Sequence, residues 1–117
     1  MRAENVVLEK SFAFAVRIVK ACQYLMSEKR EFVLSKQLLR SGTSIGANIE
    51  EAVGGQSRAD FASKIGIAYK EYRETNYWIR LLRETGYLTP KSAQSLLKDS
   101  IELQKVIASI LIAVKAK

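Results

Sequence analysis

Residues 57–86 read SRADFASKIGIAYKEYRETNYWIRLLRETG, and within them Phe61, Ile65, Ala68, Tyr72, Thr75, Ile79 and Leu82 recur in steps of four and three. A strand alternates its faces every second residue, whereas this spacing keeps one face of a 3.6-residue helix turned the same way. Ser57, followed three residues later by Asp60, has the form of a capping box with the shorter acid, and Gly86 supplies a C-terminal stop. The stretch predicts a long helix from Ser57 to Thr85. One apolar stripe of that length can be buried only against other helices.

Reading outward, Thr89 and Pro90 place a capping side chain and a first-turn proline ahead of a further helix. That helix carries Leu96, Ser100, Leu103, Ile107, Ile110 and Val114 on one line, with Leu97, Ile101, Ala108 and Leu111 beside it. Its last turns are apolar almost all round, which predicts burial of the outer side against another subunit. Upstream, Leu34, Leu38, Ser41, Ile45, Asn48 and Ala52 keep the same step over about Phe32 to Val53, and Gly54-Gly55 ends the run. The centre, Ser41-Gly42-Thr43-Ser44, is poor helix material, but Gly42 and Gly46 lie one turn apart and predict close approach of another helix. Further upstream, Leu8, Phe12, Ala15, Val19, Cys22 and Met26, with Phe14, Ile18, Ala21 and Leu25 alongside, make a wide stripe that ends at the polar link Ser27 to Arg30. Short links make consecutive helices antiparallel. The expected fold is all-α, an antiparallel up-down-up-down four-helix bundle forming one domain over residues 1–117.

Composition agrees with this. Hydrophobic residues make up 48% of the 117, and a single proline with six glycines leaves little for the many turns of a sandwich or barrel. The lone Cys22 excludes an internal disulfide, and the start MRAENVVLEK lacks the order of a signal peptide. The longest apolar run, Val106 to Val114, falls short of the roughly 20 residues that span a bilayer. A cytoplasmic protein with no membrane association is expected. Nineteen Lys and Arg against twelve Asp and Glu give a net charge of +7, which favours polyanionic partners.

The stretch Leu38-Leu39-Arg40-Ser41-Gly42-Thr43-Ser44-Ile45-Gly46-Ala47-Asn48-Ile49-Glu50-Glu51-Ala52 resembles the signature of bacterial four-helix-bundle proteins similar to those encoded in intervening sequences of large-subunit ribosomal RNA genes. Ser57, Arg58, Asp60-Phe61, Lys64, Ile67-Ala68, Lys70-Glu71, Glu74-Thr75, Tyr77-Trp78 and Leu81-Leu82 resemble the third helix of that family. After Asn48-Ile49 the chain departs from the commoner pattern, carrying Glu50-Glu51-Ala52-Val53-Gly54-Gly55-Gln56 where many relatives have Ala-Glu-Gly and a basic residue. The resemblance implies the same bundle, no enzymatic activity, and a ring-like homo-oligomer. A pentamer is implied by the similar accessory protein of diversity-generating retroelements, a five-membered barrel that contacts nucleic acid and a reverse transcriptase.

Three rows of basic residues stand away from the apolar stripes: Lys10, Arg17 and Lys20; Lys70, Arg73 and Arg80; and Lys91, Lys98 and Lys105. They are candidates for tracking a nucleic-acid backbone without sequence specificity, though heptad spacing also yields rows of this kind on an ordinary solvated face. A second cluster, Arg40, Ser44, Asn48, Glu71 and Glu74, is expected to form a polar network that fixes helix register. Tyr77, Trp78, Ile110 and Leu111 are the expected subunit contacts. Docking of a protein partner is the competing account of the assembly, and no cofactor or small-molecule substrate is expected.

A magnesium-dependent nucleotide hydrolase would need Glu50, Glu51, Glu71 and Glu74 to converge, but Lys70 and Arg73 flank the third-helix pair. The absence of histidine excludes a di-iron site with Glu-x-x-His and every histidine-dependent triad. Gly42-Thr43-Ser44-Ile45-Gly46 lacks the Gly-Lys-Ser/Thr ending of a phosphate loop and follows no strand.

Overall fold

The computed structural model describes the backbone of residues 2–116 and the side-chain surroundings of residues 5–116; Met1 and Lys117, the ends of the expected 1–117 unit, lie outside the described residues. Four helices follow one another: α1 (Arg2–Ser27), α2 (Leu34–Val53), α3 (Arg58–Glu84) and α4 (Pro90–Lys115). Each packs on its two neighbours in chain order, and α4 closes the ring on α1. The result is an all-α four-helix bundle, 46 Å long and about 20 Å across. The α1–α4 seam is the least closely packed of the four.

The start of each later helix follows from local chemistry. The Ser57 hydroxyl accepts the Asp60 N–H at 3.0 Å and the Thr89 hydroxyl accepts the Ser92 N–H at 3.1 Å, satisfying donors that have no partner within the helix. The α2 start is different. The buried Glu31 carboxylate reaches forward to accept the N–H groups of Val33, Leu34 and Ser35 at 2.7–3.1 Å. Burial pushes the Glu31 carboxyl up, but the backbone donors of Leu34, Ser35 and Val33 outweigh it and hold its pKa below the ordinary carboxylate range. After α3, Gly86 takes the left-handed conformation at φ 84°, and the N–H groups of Tyr87 and Leu88 return to the Leu82 carbonyl.

Helix α2 runs unbroken through Ser41-Gly42-Thr43-Ser44 because α1 comes close there. A Cβ on Gly42 would stand 2.7 Å from Ile18 Cγ2, and one on Gly46 would stand 3.3 Å from the Ser11 carbonyl oxygen. On the other flank of α2, the Thr75 hydroxyl of α3 lies 2.9 Å from Ser41 Oγ within the core. The remaining core is apolar, with Phe14, Ile18, Leu25, Leu38, Ile45, Ile65, Ile79, Leu82, Leu103 and Ile107 at its centre. Cys22 donates to the Ser35 carbonyl at 3.3 Å; burial, then the nearby Glu31, push its thiol up to about 11. It stays a neutral thiol at physiological pH.

Two expectations are corrected. The apolar arc of α1 is wider than the core it faces, so Val7, Ser11, Phe14, Ile18, Cys22 and Leu25 turn inward while Phe12 is 68% exposed and Val16 and Val19 stand partly clear. At the end of α4, Ile110 belongs to the chain's own core and Leu111 packs against it, whereas Ile112 is 69% exposed. The outward apolar position in the last turns is therefore Ile112, one position further on.

Candidate nucleic-acid interface

Glu71 and Glu74 of α3 and Asp99 of α4 are drawn into the seams of the bundle, whereas Glu84 stays exposed at the end of α3 beside Arg83. On the α2–α3 seam, the Arg40 guanidinium donates to both Glu71 oxygens at 3.2 and 3.3 Å and also to Glu74. Hydrogen bonds from Arg40, then from the Trp78 indole N–H at 3.0 Å, hold the Glu74 carboxyl below its ordinary pKa. Lys64 pairs with Glu51 across the same seam at 3.1 Å. On the α1–α4 seam, Arg17 donates to Asp99 at 2.7 Å, to the Ser95 carbonyl at 3.2 Å and to Ser95 Oγ at 3.0 Å. Glu102 lines a hollow in that seam with Lys10 and Arg17.

On the α3–α4 side, register is set by Ser100, whose hydroxyl donates to Asn76 Oδ1 at 2.7 Å while the Asn76 amide donates to the Tyr72 hydroxyl at 3.1 Å. With the helices antiparallel at that level, Arg80 comes abreast of Leu96 to Lys98, and Arg73 abreast of Leu103 to Lys105. Helical periodicity turns Lys70, Arg73 and Arg80 of α3 and Lys91, Lys98 and Lys105 of α4 outward on this side, and all six are exposed. Among the described residues none of the six is ion-paired. Glu71 and Glu74 turn to α2 and Asp99 turns to α1, while two exposed carboxylates remain at the edges of this face: Glu84, one turn after Arg80 on α3, and Glu102, one turn from Lys98 and from Lys105 on α4. Tyr77, half exposed with its ring edge-on to Trp78 at 5.1 Å, and Ile101 lie among these cations.

The rows from α3 and α4 thus share one face. The α1 row does not join it. Lys10 and Lys20 are exposed on α1, but Arg17 is bent into the α1–α4 seam with its charge answered by Asp99. Sequence periodicity places Arg17 off the core stripe without saying which neighbour it meets, and Asp99 and Ser95 carried no signal of their own.

The expected polar cluster comes together only in part. Arg40, Glu71 and Glu74 meet across the α2–α3 seam. Asn48 donates to the Ser44 carbonyl of its own helix at 2.8 Å, so these two residues make a local bond instead of a link between helices. The cross-helix polar pairs are Ser41 with Thr75 and Ser100 with Asn76. Tyr77 stands on the basic face, and Trp78 is half-buried and tied to Glu74. Glu50, Glu51, Glu71 and Glu74 do not converge: Glu50 borders a hollow between α1 and α2, while the other three face lysine or arginine. Among the described residues no group of three or more His, Cys, Asp or Glu could hold a metal ion. No described helix is long and apolar enough to cross a membrane.

The chain is similar to a crystallised protein of unknown function from the S23 ribosomal protein family of Bacteroides thetaiotaomicron VPI-5482, with 54% identity and a TM-score of 0.92 over 93% of this chain and 97% of that one. No curated protein matches. The model of the 23S rRNA-intervening sequence protein family matches residues 3–109. The bundle, the match over nearly its whole length and the likeness to the crystallised relative agree, and the chain belongs to the 23S rRNA-intervening sequence protein family.

Proposed function

We propose that this protein is a non-enzymatic accessory factor that binds the phosphate backbone of RNA or DNA through the α3–α4 face and assembles with copies of itself through the opposite, α1–α2 face. One observation carries the first half: six exposed cations, Lys70, Arg73, Arg80, Lys91, Lys98 and Lys105, stand on this side without an ion-pair partner among the described residues, while Glu71, Glu74 and Asp99 turn into the seams and only Glu84 and Glu102 remain near them. A face on which unpaired cations outnumber carboxylates attracts a polyanion and releases its counterions, giving affinity without base readout.

The second half rests on Phe12, Val16 and Val19, which leave an apolar strip along α1 beside Thr43 and Ala47 of α2. In the cyclic order of helices that side lies opposite the basic face. Assembly there would leave every copy's cations free. A net charge of +7 accords with a nucleic-acid partner.

Fluorescence anisotropy with a labelled RNA hairpin tests the basic face. The triple variant Lys70→Ala, Arg73→Ala, Arg80→Ala should lose most of its affinity, with the salt slope reduced by about three, whereas the charge-matched triple Lys29→Ala, Arg30→Ala, Lys36→Ala, around the link between α1 and α2, should stay within about twofold of the parent. Equal losses in both variants would mean that the attraction is a property of net charge and not of this face. A purely structural or protein-docking role is the outcome if no variant, and not the parent, binds at low salt.

A further inference from the structure

Between α1 and α4, at the end of the bundle where α4 begins, lies an open cavity of about 610 Å³. Its floor is apolar, from Ala21, Leu88 and Leu96, and its walls carry the hydroxyls of Thr89, Ser92 and Ser95. The Tyr24 ring, 41% exposed, flanks it on α1. Lys20 and Lys91 stand at the mouth, exposed and without an ion-pair partner among the described residues. Arg17 closes one end, fixed by Asp99 and Ser95. The α2–α3 seam, where Arg40 and Lys64 meet Glu51, Glu71 and Glu74, shows that this chain can close a helix–helix seam with salt bridges. Here two ammonium groups are left facing a cavity instead.

We infer that this cavity holds a nucleotide bearing a phosphate monoester, with the ring on the apolar floor beside Tyr24 and the phosphate between Lys20 and Lys91. The volume lies within the range of small-ligand sites, and an apolar floor with few convergent polar groups is their usual make-up. Aromatic side chains stack on any base, so the site selects by charge more than by base identity. Charge also separates an end from the middle of a strand. A monoester carries close to two negative charges at neutral pH, matching two lysines, whereas each phosphodiester within a strand carries one. Lys91 begins the row that continues through Lys98 and Lys105, so a strand on the basic face has its terminus within reach of this cavity. The ligand can thus come from a phosphorylated strand end or from a free mononucleotide; the strand-end source rests on the nucleic-acid reading above.

The test compares one labelled single-stranded RNA carrying a phosphate at its 5′ end, at its 3′ end or at neither, alongside calorimetric titration with adenosine 5′-monophosphate and with adenosine. One phosphorylated end should bind tighter than the unphosphorylated strand by on the order of tenfold, the scale of one charged hydrogen-bonded contact. Lys20→Ala and Tyr24→Ala, both outside the basic face, should abolish that preference while leaving the affinity for the unphosphorylated strand unchanged. Equal affinity for all three strands, with no heat from the mononucleotide, overturns the inference and leaves the basic face standing. Mononucleotide binding that needs Lys20 while no strand binds upholds the cavity as a mononucleotide site and removes the nucleic-acid reading. No binding of either kind removes both.

Discussion

At the scale of single residues, two glycines in helices have opposite meanings. Gly42 sits against Ile18, a fully buried β-branched side chain with little rotamer freedom, and an added Cβ would stand 2.7 and 2.8 Å from two of its carbons. Gly66 in α3 meets nothing within 4 Å. Alanine is the better helix former at both positions by about 1 kcal/mol, but overpacking at Gly42 costs about 1–3 kcal/mol. Gly42→Ala should therefore lower the urea midpoint and Gly66→Ala should raise it. Equal stabilisation by both would show that α1 and α2 separate readily at this point. The Ser41-Gly42-Thr43-Ser44 run is weak on propensity, yet its place in a helix was legible because the glycines repeat at one turn. The partner of Ser41 was not, since Thr75 lies 34 residues away and reads as one more position in the α3 stripe.

At the scale of helices, caps written in consecutive residues were legible, as at Ser57 with Asp60 and Thr89 with Pro90. The start of α2 was not, because sequence rules look for a short polar residue at the cap, whereas Glu31 reaches over from before Val33 with a longer side chain. Replacing Glu31 with alanine should cost about 1–2 kcal/mol, since three N–H groups lose a charged acceptor. Its folded pKa is lowered, so its contribution is complete above the unfolded pKa of about 4.3 and is lost as pH falls through the lower, folded value. Urea midpoints measured down this acid range should fall less steeply for Glu31→Gln than for the parent; parallel curves would contradict the capping role. Helical stripes were legible as arcs, but not their edges. An arc wider than the core leaves one edge in solvent, and only packing shows that on α1 this edge is Phe12 and Val19.

At the scale of the whole molecule, the bundle sorts part of its surface by face: Glu51, Glu71, Glu74 and Asp99 to ion pairs across the seams, an apolar strip on α1–α2, and six unpaired cations on α3–α4. The bundle topology was readable from four stripes and three short links. The sharing of a face by the α3 and α4 rows was not, because it depends on the register that Asn76 and Ser100 set. Replacing Phe12 and Val16 with serine should leave the fold intact, as both are at least partly exposed, and should reduce the particle mass by light scattering from a multiple of 13.1 kDa towards that single-chain value. A parent protein that is already monomeric would remove the apolar strip from the account. The central claim, that the α3–α4 face binds a nucleic-acid backbone, is tested most directly by the anisotropy of a labelled RNA duplex at about 50 and about 200 mM salt. Six phosphate contacts predict tight binding at the lower salt and a loss of about a thousandfold in affinity at the higher. Absence of binding at the lower salt, or an affinity that does not change between the two, would contradict it.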